Sequence, residues 1–219
     1  MSQGMETTLV SSPFRWAAAG QALASGIESG DHYIFTPFPG GALAAVADGL
    51  GHGANAAIAA KTAMSTLASH AHEPATQLVQ RCHEALRKTR GAVLSLASFA
   101  EPPAGNPDPI WTMTWVGVGN VKGVLLRAAA SAFKGEHEWL TPRGGIVGYQ
   151  LPTPRPVTIP VGCGDTLIFV TDGIHSDFIQ GLTPDVFQAG PDIKSIADQI
   201  LTRSRRGSDD ALVLVVQKT

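Results

Sequence analysis

The chain has 219 residues, of which 44% are hydrophobic and 16% are charged, a balance typical of a globular rather than a disordered protein. Its formal net charge of −2 provides no overall attraction to nucleic acid or to an anionic membrane. We find no signal-peptide pattern and no apolar stretch that could span a bilayer, and the two cysteines lack zinc or redox spacing. We therefore expect a cytoplasmic protein that binds neither nucleic acid nor membrane.

The first part of the chain shows three strand patterns followed by two helical patterns. The strand patterns cover residues 14–22, 32–38 and 41–47, with glycine-rich turns between them. Apolar residues at helical spacing predict a first helix over residues 54–70. A second helix is expected to begin near Pro74, since proline suits a first helical turn, and to end before Gly91.

Beyond Gly91 the sequence consists mainly of short β-rich runs. They are VLSLASF, IWTMTWVGVG, KGVLLRAA, DTLIFVT and the closing ALVLVVQ. Two further helices are predicted, a short one over residues 184–188 and a longer one over residues 193–204. Long helices are too few to cover both faces of a parallel sheet, so an α+β architecture of antiparallel sheets with helices outside is favoured. Without a repeat or linker, we expect a single domain over residues 1–219, with its core over about 14–217.

Three tryptophans are expected to lie in the hydrophobic core. Trp111 and Trp115 share one face of a predicted strand because their spacing is even. Trp16 lies in the first strand pattern, and its large ring is also assigned to the core.

Aspartate lies beside glycine, serine or a second aspartate at the ends of four strand patterns. The four sites are Gly30-Asp31, Asp48-Gly49, Asp172-Gly173 and Ser208-Asp209-Asp210. One such pair alone is an ordinary turn, but all four could converge if their strands are neighbours at one end of two sheets. Convergent carboxylates repel one another and raise each other's pKa unless a cation neutralises them.

The chemistry of such a cluster favours hard divalent cations. Oxygen ligands select ions such as Mg²⁺ or Mn²⁺, and the chain has no histidine or cysteine pair at zinc spacing. Two ions about 4 Å apart can hold a bridging hydroxide and stabilise in-line attack on phosphorus. Gly49 lets the backbone approach closely, so its carbonyl could serve as a further ligand.

Six motifs occur in a fixed order along nearly the whole chain. They are SGDHY, VADGLGHG, GNVKGVLL, GGIVGY, GDTLIFVTDGI and SDDALVLVV. In this order they resemble the motifs of bacterial PP2C-type (PPM) serine/threonine phosphatases. The similarity is greatest to the subgroup of the stage II sporulation protein E phosphatase and the Rsb phosphatases of the general stress response, and within it to the small stressosome feedback phosphatase. The resemblance implies a four-layer α-β-β-α sandwich of two antiparallel sheets flanked by helices.

The resemblance also implies roles for individual residues. Asp48 would bridge two Mn²⁺ or Mg²⁺ ions, and Asp48 and Asp172 would be central to catalysis. Asp172 and Asp209 would complete one metal site. Asp31 and the Gly49 carbonyl would help to hold the other. A metal-bridging water would attack the phosphorus of phosphoserine or phosphothreonine directly, without a covalent phospho-enzyme.

The chain departs from the wider family at two positions. Eukaryotic relatives have a histidine directly after the DG pair, whereas this chain has Leu50 there and His52 two residues later. His52 could act as an acid or contact the phosphate, or it could only hydrogen-bond the loop. The relatives also bind phosphate through an N-terminal arginine, and the one candidate before Asp31 is Arg15, inside a predicted strand.

Two other polar residues have alternative roles. Asp210 is expected to orient a metal ligand rather than to bind the ion itself. Asn120 is expected to form a turn, although it could line the cleft instead.

The implied substrates are phosphorylated STAS-domain proteins of a stressosome-like complex, on which the enzyme would act as a feedback regulator of the general stress response. A phosphatase of an anti-sigma-factor antagonist is an alternative. A non-catalytic regulator that binds phosphoproteins would be marked by loss of an acidic ligand, and none is lost in this sequence. A nucleotide-binding module in which GLGHG cradles phosphate would lack the lysine and Ser/Thr of a P-loop.

Overall fold

The computed structural model describes residues 12–105, 110–129, 131–133, 135–182 and 192–219. Within these ranges the chain forms ten strands and three helices. In chain order they are β1 Phe14–Gln21, β2 Asp31–Phe38, β3 Gly41–Gly49, α1 Ala54–Ser69, α2 Ala75–Leu86, β4 Ala92–Ala100, β5 Trp111–Val118, β6 Lys122–Leu126, β7 His137–Leu140, β8 Val157–Val161, β9 Thr166–Val170, α3 Ile193–Ser204 and β10 Ala211–Lys218.

The strands form two five-stranded antiparallel sheets. The first has the order β1-β10-β9-β6-β7 and the second the order β2-β3-β4-β5-β8. Helices α1 and α2 pack on the second sheet, and α3 packs on the first. The predicted α+β sandwich with layers in the order α-β-β-α is therefore confirmed.

The hydrophobic core is divided by the two sheets into three layers. Strand β10 shows why, because all its residues from Ala211 to Val216 are buried and successive side chains point to opposite faces. Leu214 and Val216 pack between the sheets, whereas Val213 and Val215 pack under α3. A strand covered on both faces therefore reads in the sequence as a continuous apolar run rather than as an alternating pattern.

Helix α1 lies close to the second sheet because its buried face is rich in alanine. Ala59, Ala60 and Ala63 are fully buried and pack with residues of β3 and β4 in one cluster. A larger side chain at these positions would have to displace the helix, at a cost of about 1–3 kcal/mol of stability.

Two of the three tryptophan predictions agree with the structure. Trp115 is buried between the sheets and Trp111 packs against the same cluster. The assignment of Trp16 to the core is wrong, since its side chain is 41% exposed. Strand β1 is an edge strand, so the ring covers an open side of the sandwich, stacked on Phe35 with the ring centroids 5.6 Å apart.

Two short strands were not predicted. Strand β8 lies in a proline-rich stretch and contains Pro160, which an edge strand tolerates because one side of its backbone has no strand partner. Strand β7, at the edge of the other sheet, has only four residues. The short helix predicted over residues 184–188 lies outside the described residues. Within the described ranges, none of the helices has the length and apolar character that crossing a membrane requires.

Candidate active site

Asp31 and Asp48 are placed side by side by a tight hairpin. Strands β2 and β3 are joined through Pro39 and Gly40, so that Phe38 pairs with Gly41 and, seven residues further along each strand, Asp31 pairs with Asp48. Directly opposite residues point to the same face of a sheet, with Cβ atoms about 4.5–5.5 Å apart. A register slip of one residue would move one carboxylate to the other face.

The first sheet brings three more aspartates to the same end of the sandwich. Asp172 follows β9, whereas Asp209 and Asp210 precede β10, and these two strands pair antiparallel. The Thr171 hydroxyl donates a hydrogen bond to Oδ2 of Asp31 over 2.7 Å and accepts one from the Leu212 amide over 2.9 Å. Thr171 therefore ties the acidic ends of the two sheets together.

Asp210 is buried and holds the loop that leads into β2. Its two carboxylate oxygens accept hydrogen bonds from the backbone amides of Leu23, over 2.7 Å, and Gly30, over 2.6 Å. Both oxygens are thus occupied by backbone donors, one of which belongs to the residue directly before Asp31. This arrangement supports the expected orienting role of Asp210, which stays a prediction.

Asp172 is held by a residue that sequence reasoning assigned to a turn. The side-chain amide of Asn120 donates a hydrogen bond to Oδ2 of Asp172 over 2.8 Å. Asn120 follows β5 and lines the cavity that contains Asp172. Asn120 thus lies in the bend between β5 and β6, as expected, and it also lines the cleft, which was the alternative.

Burial and mutual repulsion make two of these carboxyls unusually weak acids. Loss of solvent raises the pKa of Asp31 to about 7, with a smaller opposing effect of the Thr171 hydrogen bond and further increases from Asp210 and Asp172. Loss of solvent, followed by the charge of Asp31, raises the pKa of Asp48 to about 8. A cation placed among these groups would favour their charged forms.

The donor set fits a hard divalent cation by its chemistry. The acidic side chains that converge are aspartate carboxylates, and the Gly49 carbonyl and the side-chain amide of Asn120 lie in the same region. Such oxygen ligands are the type that Mg²⁺ and Mn²⁺ prefer. In the described ranges no three candidate ligands close around one point as they stand. Asp31, Asp172 and Asp210 accept hydrogen bonds from Thr171, from Asn120 and from backbone amides, respectively.

Glycines shape the loop between β3 and α1. A Cβ atom at Gly49 would lie 2.0 Å from the carbonyl oxygen of Ala56, so only glycine allows α1 to pack this closely on the end of β3. Gly51 and Gly53 have φ angles of 90° and 72°, which are readily adopted only by glycine. The loop is fixed further by a hydrogen bond from the Leu50 amide to the Gly91 carbonyl over 3.0 Å.

A cavity of about 290 Å³ opens between this loop and the acidic end of the sheets. We call it the acidic pocket. It is lined by Leu23, Asp48, Leu50, Gly51, His52, Val93, Asn120, Asp172, Ser208 and Asp209. His52 is exposed on its wall, where it could contact a bound group. Asp31, 6% exposed, lies behind the wall against Thr171.

Arg15 does not belong to this site. It pairs with Gln217 and donates a hydrogen bond to that side chain over 2.5 Å, whereas the end of β1 nearest the acidic cluster is Gln21, opposite Ala211. Six residues of strand separate the two positions, a length of about 20 Å.

Arg90 instead brings a guanidinium group to the glycine loop. A Cβ atom added at Gly51 would lie 2.7 Å from Nη1 of Arg90, so the guanidinium covers the open side of Gly51. The next residue, Gly91, is anchored by its bonds to Leu50 and to the Thr89 hydroxyl. Arg90 lies four residues beyond the end of α2.

Thr171 and Arg90 were therefore missed as functional candidates, whereas a place for Asn120 in the cleft was the alternative to its expected turn. Thr171 and Asn120 lie within two of the recognised motifs, GDTLIFVTDGI and GNVKGVLL, and membership of these motifs was the available signal. Arg90 carried no such signal, because its proximity to Gly51 depends on the pairing of β3 with β4.

Comparison with known proteins assigns the chain to a family. The model of the family described as stage II sporulation protein E (SpoIIE) matches residues 39–219. The phosphoserine phosphatase RsbX of Bacillus subtilis (strain 168) is 22% identical over 178 residues, which cover 80% of each chain.

Solved structures show the same fold. A structure of RsbX in complex with magnesium superposes with a TM-score of 0.75 at 20% identity, covering 94% of this chain and 96% of that one. Another match is a chain from a study of the bacterial stressosome, described there as a modular system adapted to control secondary messenger signalling. It superposes with a TM-score of 0.76 at 26% identity, covering 93% of this chain and 99% of that one. A structure of the PP2C phosphatase domain and a fragment of the regulatory domain of SpoIIE from Bacillus subtilis superposes with a TM-score of 0.67 at 21% identity. The match covers 93% of this chain and 62% of that one. The chain belongs to the SpoIIE family and is a PP2C-type protein serine/threonine phosphatase.

Proposed function

We propose that this phosphatase is metal-dependent and hydrolyses phosphoserine or phosphothreonine in STAS-domain proteins of a stressosome-like complex. The observation that carries the metal dependence is the pairing of Asp31 with Asp48 at the acidic end of the sandwich, with pKa values raised to about 7 and 8. Carboxyls held together against their own repulsion are a common sign of a cation-binding or catalytic site.

Oxygen ligands from both sheets would hold the ions. Asp48 would be shared by two ions, and Asp172 and Asp209 would complete one ligand set. Asp31 and the Gly49 carbonyl would belong to the other. When bound, Mg²⁺ or Mn²⁺ supplies an activated water and neutralises charge on the phosphate.

The protein's own groups would orient the substrate around that chemistry. The Arg90 guanidinium, beside Gly51, would pair with phosphate oxygens, for which its forked donors are well suited. His52, exposed on the wall of the acidic pocket, would donate a proton to the departing serine oxygen. Asn120 would keep Asp172 in one orientation.

The substrate class is supported by the relatives. RsbX is a phosphoserine phosphatase, and the chain superposes over nearly all its described length on a protein from a stressosome study. A phosphoserine on a folded STAS domain would reach the acidic pocket because the pocket opens on the protein surface, with Gly51 and His52 exposed on its wall.

The proposal is tested by phosphate release from p-nitrophenyl phosphate and from a phosphorylated STAS-domain protein, with Mn²⁺, with Mg²⁺ and after chelation. We expect activity only with a divalent ion. Asp48→Asn should lower kcat/KM by at least ~100-fold, since removing a direct ligand costs more than removing a residue that supports one. Asp177→Asn, at an exposed position, is the matched control and should leave kcat/KM unchanged.

Two results would contradict the proposal. If the wild-type protein releases no phosphate with any divalent ion but binds the phosphorylated STAS protein, it is a non-catalytic regulator. If it dephosphorylates an anti-sigma-factor antagonist and not a stressosome scaffold protein, the substrate assignment is wrong while the metal chemistry stands.

A further inference from the structure

A second, apolar depression lies next to the acidic pocket. Its cavity measures about 450 Å³, and its walls include Asn120, Lys122, Trp139, Leu140, Pro142 and Ser176. We call it the Trp139 groove. It is formed mainly by β6, β7 and the turn that follows β7, so it belongs to the edge of the first sheet.

Trp139 presents a large apolar surface in this groove, and its ring is held by contacts with neighbouring rings. Its side chain is 44% exposed, although an aromatic ring of this size usually contributes its area to a core. The ring is held at the edges of two others, with centroids 5.9 Å from Phe178 and 6.0 Å from His137. Because it is fixed in advance, it would lose little conformational freedom when a partner side chain covers it.

The groove is continuous with the acidic pocket. Asn120 lines both cavities, and its side chain donates the hydrogen bond to Asp172. Ser176, four residues after Asp172, also lines the groove. A polypeptide whose phosphoserine enters the acidic pocket must continue over the surface beside it, and the groove begins at the pocket wall.

From this continuity we propose that the Trp139 groove binds the substrate polypeptide next to its phosphorylated residue, with an apolar substrate side chain against the Trp139 ring. This inference rests on the proposed phosphatase function and adds to it a preference for particular residues beside the phosphoserine of the substrate. Lys122 places a positive charge on the wall of the groove, so an acidic residue in the same substrate segment is favoured over a basic one.

The test uses peptides of nine residues with a central phosphoserine among alanines. Leucine replaces alanine at one position at a time, and kcat/KM is measured for wild type and for Trp139→Ala, with p-nitrophenyl phosphate as a substrate too small to reach the groove. We expect leucine at one or two positions to raise the wild-type kcat/KM about tenfold, as truncated tryptophan contacts commonly cost this much or more. Trp139→Ala should abolish that gain and change p-nitrophenyl phosphate hydrolysis by less than about twofold, since the small ester gains no binding from the groove.

Trp16→Ala is the matched control. Trp16 has nearly the same exposure, 41%, but lies on β1, at the opposite edge of the same sheet. It should keep the leucine preference of the wild type. Trp139→Phe, which retains an apolar ring, should keep most of it as well.

Three results would overturn the inference: no leucine position raises kcat/KM, the preference survives Trp139→Ala, or Trp139→Ala lowers activity equally on peptides and on p-nitrophenyl phosphate. The last would give the ring a purely structural role. If the wild-type protein hydrolyses none of these substrates, the proposed function fails. The groove is then judged by peptide affinity, which Trp139→Ala must weaken for the leucine peptide and leave unchanged for the alanine peptide.

Discussion

Replacing Asp31 by asparagine should stabilise the metal-free protein while impairing metal binding. Burial raises the pKa of Asp31 to about 7, above the ordinary value of 3.8 for an exposed aspartate. Ionising it therefore costs the native state, relative to the unfolded chain, up to about 4 kcal/mol at about 1.4 kcal/mol per pKa unit. Asparagine carries no charge, and its carbonyl oxygen can still accept the Thr171 hydrogen bond, so we expect a gain of about 2–4 kcal/mol in the free energy of unfolding at pH 8.

The direction of the pH dependence follows from the raised pKa. Below about pH 4 both folded and unfolded Asp31 are protonated, so the variant and wild type should be about equally stable. As the pH rises from about 4 to about 7, only the unfolded wild-type chain releases this proton, and the wild type loses up to about 1.4 kcal/mol per pH unit relative to the variant. Above about pH 7 the difference should be constant.

Urea unfolding of the chelator-treated proteins at several pH values measures this difference directly. Thermal unfolding should show the variant roughly 5–15 °C higher at pH 8, at the 2–4 °C per kcal/mol typical of domains of this size. Added Mn²⁺ should then raise the melting temperature of the wild type more than that of the variant. Asp177→Asn, at an exposed position, should change stability by less than about 0.5 kcal/mol at every pH. Two results would contradict this reasoning: Asp31→Asn destabilises the protein at pH 8, or it changes the stability equally at pH 4 and pH 8. Either would mean that burial and neighbouring charges do not raise the pKa of Asp31.

Three other substitutions test how the site is held. Asn120→Ala removes the donor to Asp172 and should weaken Mn²⁺ affinity about 10–100-fold in a calorimetric titration, with little loss of stability because Asn120 is exposed. Asp210→Ala leaves the amides of Leu23 and Gly30 without their acceptor and should lower the free energy of unfolding by about 2–5 kcal/mol in urea; an unchanged urea midpoint would mean that these bonds do not hold the loop. Arg90→Ala should raise the inhibition constant of inorganic phosphate about tenfold without changing Mn²⁺ affinity, whereas Arg87→Ala, also exposed and three residues earlier in the sequence, should change neither.

Much of the site geometry was predictable because it depends on backbone pairing. The two-residue turn at Pro39 and Gly40 fixes the register of β2 and β3, and equal strand lengths on either side then require Asp31 to face Asp48. Likewise, the apolar run before Asp172 and the one after Asp210 indicated strands whose ends could meet.

The parts that were not predictable depend on contacts between elements distant in the sequence. Thr171 reaches Asp31 across the space between the two sheets, at a separation of 140 residues. Asn120 reaches Asp172 across 52 residues. Neither contact has a periodicity or spacing in the sequence, because it follows from how the sheets pack and not from how each strand is built.

The acidic site places a requirement on the rest of the fold. Burial, together with the neighbouring carboxyls, raises the pKa values of the paired Asp31 and Asp48 to about 7 and 8. Ionising them therefore costs the metal-free protein stability, and a loop free to move would lower this cost by exposing and separating the carboxyls. Thr171 opposes this separation by its bond to Asp31, and Asp210 opposes it by fixing the preceding loop through two backbone amides. The buried layers on both sides of each sheet provide the stability that offsets the repulsion. Asp31 and Asp48 are therefore held opposite each other in the fold itself, where a bound cation would favour their charged forms.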